Sequence, residues 1–288
     1  MKIRERLKPI WNEFVYGGHL LSLGAVSIVY TSAVLLDIRV TWDCLLVIYL
    51  GTQSAYSYNR YREFEKDALS NPERTRYLAK YVKRLPIIIV CMVSGCIGIV
   101  LYFEKIPALV FTFVLLSIGF SYSLIFKNVA KRIIGFKDIF VSLGWALLAV
   151  FLALYYSYPL NLSLFLVFLL VFLRLLVDTT FFDIKDVESD RKEGLLTPAI
   201  VLGRKKLYSL LYIITILAAG VILAGFYFEH FPAQSLMLLL TVPYTYNFLR
   251  KSQNNRTNKE FLYNVIVDGE FVLWTVFVLL GKAITIAC

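Results

Sequence analysis

The sequence predicts an all-α membrane protein: nine transmembrane helices in a bundle around a central cavity, with two motif-bearing helical loops on the cytoplasmic side. Three observations carry this. The 288 residues are 59% hydrophobic and 17% charged, with mean hydropathy +0.69, where a soluble domain is about 45–50% apolar and about 25% charged. Apolar runs of about 17–25 residues, the length that crosses a bilayer as a helix, recur along the whole chain. The 30 Lys and Arg residues fall almost wholly on alternate connections between these runs.

Residues 1–17, with Lys2, Arg4, Arg6 and Lys8, read as an interfacial approach to the first span. They do not read as a cleavable signal, because no small-residue cleavage site follows a short apolar core. The nine spans are 18–36, 42–58, 86–103, 107–126, 138–157, 161–182, 208–228, 232–249 and 264–284. Pro86, Pro107, Pro159 and Pro232 stand at span starts or in turns, where a missing N–H costs least. Pro243 falls inside the eighth span and predicts a kink there. The connections 59–85 and 183–207 are long enough to act as cap loops, and long loops in compact folds tend to be functional. Nothing else interrupts a single polytopic unit over 1–288.

The N-terminal tail and the connections after the second, fourth, sixth and eighth spans hold 26 of the 30 cations; Arg39, Lys105 and Lys282 lie opposite, and Arg174 lies within the sixth span. By the positive-inside rule the rich side is cytoplasmic. This places the N-terminus and both long loops in the cytoplasm and the C-terminus on the opposite side. The net charge of +10 is thereby a matter of topology. No helix-turn-helix, zinc finger or aromatic-interleaved basic strand accompanies it, so nucleic acid is not an expected partner. Cys44, Cys91, Cys96 and Cys288 lack metal-ligand spacing and read as small buried hydrophobes.

Directly after the sixth span, Asp183, Asp186 and Asp190 recur at i, i+3 and i+7. At roughly 100° per residue they share one helix face within about 60°. Asn59, Glu63 and Asp67 recur at i, i+4 and i+8 just past the second span. Carboxylates at the edge of a bilayer are costly and usually functional. Two oxygen-rich faces among basic residues suit a divalent cation and a polyphosphate, since Mg²⁺ takes hard oxygen ligands and commonly shares them with phosphate. Arg74, Lys127, Lys131, Arg132 and Lys137 are candidate phosphate clamps. Arg74 and Lys127 are preferred for their place beside the first face and after the fourth span, where Tyr122 joins them in the run Tyr122–Lys127. Each is equally explained by topology or by anionic lipid headgroups.

Other polar groups carry weaker signals. Arg174 and Asp178, one turn apart inside the sixth span, read as an intrahelical ion pair facing the bundle interior, with a role in the acceptor pocket as the alternative. His19, Asp268 and Glu270 lie near span ends and read as headgroup-level residues, with a place for His19 beside an acceptor as the alternative. The 19 Tyr and 22 Phe residues fit either an aromatic belt or a pocket that shields a carbocation.

The segment Asp183–Gly194, followed by Thr197–Gly203, resembles the second signature of the UbiA superfamily of intramembrane prenyltransferases. That signature is an aspartate-rich DxxDxxxD-type helix, a Gly, and a Thr…Leu-Gly segment. Asn59, Glu63 and Asp67 with Arg74-Thr75 resemble the first, NxxxDxxxD followed by Arg-Thr. Glu63 stands where the family usually has Asp, and its extra methylene shifts a bound metal. The resemblance implies a Mg²⁺-dependent transferase in isoprenoid biosynthesis. Asn59, Glu63, Asp67, Asp183, Asp186 and Asp190 would bind the metal, and Arg74, Lys127, Lys131 and Tyr122 would bind an isoprenyl diphosphate. The prenyl group would pass to a lipophilic acceptor, commonly aromatic, inside the bilayer. Two competing readings stand beside it. One is a terpene cyclase on the same scaffold. The other is a transporter or non-catalytic scaffold, although a transporter more naturally sets its polar groups at the midplane in broken helices.

Overall fold

Every regular element among the described residues is helical, because a chain in hydrocarbon satisfies its backbone hydrogen bonds within each segment. The structure, a computed structural model, describes residues 2–65, 68, 71–121, 127–254 and 256–287; the side chains of 2–7, 116, 118–121, 127, 286 and 287 lie outside the description. In order the helices are α1 (Lys2–Tyr16), α2 (His19–Leu35), α3 (Trp42–Arg62), α4 (Pro72–Leu78), α5 (Leu85–Tyr102), α6 (Ile106–Ser121), α7 (Lys127–Ala130), α8 (Phe136–Tyr155), α9 (Leu162–Glu193) and α10 (Pro198–Tyr227). A 3₁₀ segment (Ala233–Leu240), α11 (Thr241–Gln253), α12 (Lys259–Phe261) continuing as a π turn (Leu262–Val267), and α13 (Glu270–Ala287) complete the chain.

α9 lies between α8 and α10, α2 packs on α3 and α13, and α3 packs on α5. One apolar core gathers Ile28, Cys44, Leu152, Val167 and Trp274; a second, nearer the acidic end of α9, gathers Val177, Phe181, Leu211 and Phe248. Leu85 and Val100 are the buried residues of α5, so its outward residues, Ile87 and Val90 among them, form a surface suited to lipid. That explains a departure among the cysteines. Cys44 is buried as expected, but Cys91 is exposed and Cys96 half-buried on this outward helix.

Among the described residues, four helical segments are long and apolar enough to cross a membrane: Val82–Tyr102, Phe136–Tyr155, Leu162–Glu193 and Pro198–Tyr227. Two bent pairs, Lys8–Tyr16 with His19–Leu35 at 59° and Lys259–Val267 with Glu270–Thr285 at 41°, raise the number to six. By this measure the described helices account for four to six of the nine expected spans. The eighth expected span is a 3₁₀ segment that passes into α11 at Thr241, so Pro243 sits in the first turn of a new helix, where its missing N–H is tolerated, and does not kink an old one.

The acidic residues 183–193 do not form a separate cap helix. They continue α9 without a break for 32 residues, because neither Gly nor Pro separates Phe182 from Asp183. Gly194, at φ 73°, ends the helix. The Gly194 N–H donates to Arg191 O and the Leu195 N–H to Asp190 O, which closes the last turn.

Candidate active site

The turn between α7 and α8 positions the site. The Leu196 N–H donates to Ala130 O at 3.1 Å and the Gly135 N–H to Leu196 O at 2.9 Å, so the start of α8 is stitched beside the end of α9. Lys137, in the first turn of α8, therefore reaches the acidic face. Its Nζ donates to Asp183 Oδ1 at 2.9 Å and to Asp190 Oδ2 at 3.0 Å. One ammonium bridging i and i+7 shows that these two aspartates share a face, as their spacing requires. Asp186, half-buried on the same side, has Lys137, Lys185, Asp190 and Arg74 as its charged neighbours.

Asp138 also turns inward, against Asp183. Asp138 and Asp183 are each 1% exposed and Asp190 is 6% exposed. Asp183 and Asp190 thus share the Lys137 ammonium, and Asp138 lies against Asp183 as its side-chain neighbour, a crowding of buried acids that is expensive unless each is paired. Both oxygens of Asp138, Oδ2 of Asp183 and Oδ1 of Asp186 are buried without a hydrogen-bond partner. Such orphaned oxygens have the chemistry of sites for a cation. Among the described residues, however, no three His, Cys, Asp or Glu side chains already converge as a metal cage.

The first face is built differently. Asn59 lies in the last turn of α3 and is exposed; Glu63, also exposed, is the residue that caps that helix. Asp67 and Tyr122 lie outside the described residues, as does the side chain of Lys127, whose backbone opens α7. Lys131 is exposed in the turn that follows. The segment after this face does return to α9. Lys185 Nζ donates to Asn71 Oδ1 at 3.1 Å. Arg74, half-buried on α4, has Asp186, Asp268, Arg60 and Tyr56 in its electrostatic neighbourhood. Of the preferred basic residues, the structure brings Arg74 to the acids of α9 and adds Lys137, which the sequence offered only as one of several.

Below this end, aromatic rings run through the bundle. Tyr56 faces Trp145 at 6.1 Å between centroids, Trp145 stacks on Phe271 at 6.3 Å, and Phe271 meets Trp274 at 5.3 Å. Other rings, Trp42, Tyr102 and Tyr227 among them, stand exposed at helix ends. The aromatic excess therefore divides between an internal wall and an outer rim.

Arg174 corrects an expectation. It does not bond its helical neighbour Asp178. Its Nε donates to Glu270 Oε1 at 3.1 Å and its Nη2 to Thr245 Oγ1 at 2.8 Å. It thereby ties α9 to α13 and α11 in the interior. The Trp274 Nε1 donates to the same Glu270 oxygen at 3.4 Å. Glu270 is fully buried and is not a headgroup-level residue.

Comparison with known proteins adds the family. A model of the UbiA prenyltransferase family matches residues 20–276. The apo structure of a UbiA homolog from Aeropyrum pernix K1 superposes with TM-score 0.67 at 15% identity, over 92% of this chain and 98% of that one. A structure concerned with digeranylgeranylglyceryl phosphate synthase in membranes superposes with TM-score 0.58 at 15% identity, over 97% and 99%. No curated protein matches by sequence.

Proposed function

The chain belongs to the UbiA prenyltransferase family, and from that premise we propose a Mg²⁺-dependent transferase that moves an isoprenyl group from an isoprenyl diphosphate to a lipophilic, electron-rich acceptor within the membrane. The observation that carries this reading is the pairing of Lys137 with Asp183 and Asp190 beside unpartnered oxygens of Asp183 and Asp186, with Arg74 arriving from the first-signature segment. Acids and cations in one buried cluster are what a metal–diphosphate pair requires.

Asp183, Asp186 and Asp190, with Asn59, Glu63 and Asp67 from the first face, are the residues that would hold Mg²⁺. When bound, Mg²⁺ neutralises diphosphate charge and improves the leaving group. Arg74 and Lys137 bind phosphate oxygens, helped by Lys127, Lys131 and Tyr122, and keep the C–O bond aligned for cleavage. Heterolysis leaves the electron pair on diphosphate and an allylic cation on the prenyl chain. The rings of Tyr56, Trp145 and Phe271 present π faces that stabilise this cation and exclude water. The acceptor supplies the electron pair for the new bond and gives up a proton. In this reading the face carrying the acids is cytoplasmic.

The test is lipid mass spectrometry on membranes supplied with an isoprenyl diphosphate, with and without EDTA. A prenylated lipid that disappears with chelator supports the reading. A hydrocarbon formed with no acceptor identifies a cyclase. No consumption of diphosphate under any condition overturns both.

A further inference from the structure

A cavity of about 100 Å³ that shares no lining residue with the cluster around Lys137 lies where α1 packs on α4 and on the π turn before α13. That volume holds several waters or one small charged head group. Its polar side is Tyr16, Glu73, Glu260 and Asn264.

The two acids lack a cation of their own. Tyr16 Oη donates to Glu73 Oε2 at 2.8 Å, and Glu260 is within hydrogen-bonding reach of both Tyr16 and Glu73. A phenol has one hydrogen to give, and Glu260 Oε1 is buried with no hydrogen-bond partner. Carboxylates this close repel each other unless a positive group or a shared proton stands between them. The nearby ammonium groups are engaged. Lys259, next to Glu260 in sequence, turns its Nζ to Ser252 O and Asn254 O. Lys185, the cation in electrostatic range of Glu260, donates to Asn71 Oδ1 and lies 5.1 Å from the centroid of Phe182 and 5.5 Å from that of Tyr263.

Asn264 is a separate observation. It is 8% exposed, and its Nδ2 is buried with no hydrogen-bond partner. An idle amide donor at such depth is costly. The residue sits in the π turn Leu262–Val267, a rare geometry that is frequent at functional sites. The cavity therefore carries both an uncompensated acid pair and an unused donor. A ligand that answers both has a positive group and a hydrogen-bond acceptor a few atoms apart.

A bare divalent ion answers only the first. Among the described residues no three His, Cys, Asp or Glu side chains converge as a metal cage, and Trp11, Phe261 and Val265 complete the lining where Mg²⁺ would keep its water. An alkylammonium uses the same walls, with its carbons against the rings and its charge on the acids. Trp11 and Phe261 are also exposed. An exposed Trp on a basic helix such as α1 is the pattern of a segment lying at head-group level.

We propose that this cavity is a head-group site for phosphatidylethanolamine. The primary ammonium binds Glu73 and Glu260, a phosphate oxygen accepts from Asn264 Nδ2, and the glycerol leaves past Trp11 and Phe261. The ammonium supplies the missing cation, and the phosphodiester uses the idle amide. A bound lipid also fastens α1 to α4 and α12. Because Arg74 follows Glu73 on α4, the same lipid steadies the segment that brings Arg74 toward the α9 acids. The site stands independently of the prenyl-transfer reading.

The test uses full-length protein in phosphatidylcholine nanodiscs doped with phosphatidylethanolamine and counts retained lipid by native mass spectrometry. Phosphatidylcholine, with the same phosphate but no N–H on its ammonium, is the internal control. A second arm adds free phosphoethanolamine, the head group without tails, and a third adds excess Mg²⁺. The expected result is about tenfold or greater preference for phosphatidylethanolamine, undisturbed by Mg²⁺. That preference falls about tenfold or more in Glu260→Gln, which removes a charge-assisted bond at constant shape, and in Val265→Trp, which fills the cavity and keeps its acids. Equal retention of the two lipids, or an unchanged preference in both variants, overturns the site. Displacement by Mg²⁺ makes it a metal site and overturns the head-group assignment. Free phosphoethanolamine that binds as tightly as the lipid overturns the assignment to a lipid and leaves that to an ammonium standing.

Discussion

The two acidic faces look alike in the sequence and differ in the fold. Asp183 and Asp190 ride on a helix that runs unbroken out of the apolar bundle, are buried, and are paired to Lys137. Asn59 and Glu63 straddle the end of α3, exposed, where the chain turns toward α4. A continuous helix transmits the order of the bundle to its side chains. A helix end does not, because its last carbonyls and side chains have no following turn to pack on. In the proposed reading the faces take different shares of the work: the α9 face is a preformed socket, and the α3 face is completed by what binds.

That division can be broken in four ways, in descending size of effect. Asp183→Ala should cut turnover by about 100-fold or more while the protein still inserts, since it removes a preorganised charge from a water-poor site; prenyl transfer in isolated membranes reads it out, and near-normal rates would mean the socket is not preformed. Lys137→Met should lower both activity and stability. It strands Asp183 and Asp190 without their cation, and removal of one partner from a buried pair costs about 3–5 kcal/mol; a falling Tm without ligand is the signature, and an unchanged Tm would mean the acids are neutral in the resting protein. Asn59→Ala should cost about 10-fold in activity, the scale of a supporting metal contact, with no change in Tm, because the residue is exposed; a Tm loss matching that of Lys137→Met would erase the distinction between the faces. Glu63→Asp, which restores the shorter side chain, should lower the Mg²⁺ concentration for half-maximal rate by about two- to threefold through better-placed oxygens; no shift would remove Glu63 from the metal.

Much of this is legible in the sequence, for identifiable reasons. The run from Leu164 to Phe182, and the spacing of Asp183, Asp186 and Asp190 after it, are local patterns, and helices obey local patterns. Gly194 marks the end of α9 for the same reason. The partner of Arg174 is not legible. The i, i+4 rule points to Asp178, but Glu270, 96 residues away, takes the bond. Lys137 is one of five basic residues, behind the preferred Arg74 and Lys127, and only the stitching of the α7–α8 turn to Leu196 selects it. Asp138 carries no motif, and its one signal is its place at the very start of an expected span, where a charge is costly and tends to be functional. Arg60 reads in the sequence as one more cytoplasmic cation; its burial beside Asp268 and Arg74 joins segments that no spacing rule connects.

The unbroken course of α9 has a mechanical consequence. Asp183 lies nine residues beyond Arg174, about 13 Å along the same rod at 1.5 Å per residue. The Arg174–Glu270 bond fixes one point of that rod to α13, so it acts as a fulcrum, and a tilt of about 5° there swings the aspartates by roughly 1 Å, enough to cost about 100-fold in a reaction that depends on alignment. In the transferase reading, substrate seated at the tip and the seam that holds the helices shut are in this way levers on one another, and a lesion deep in the bundle would be felt as a fault of chemistry at its mouth.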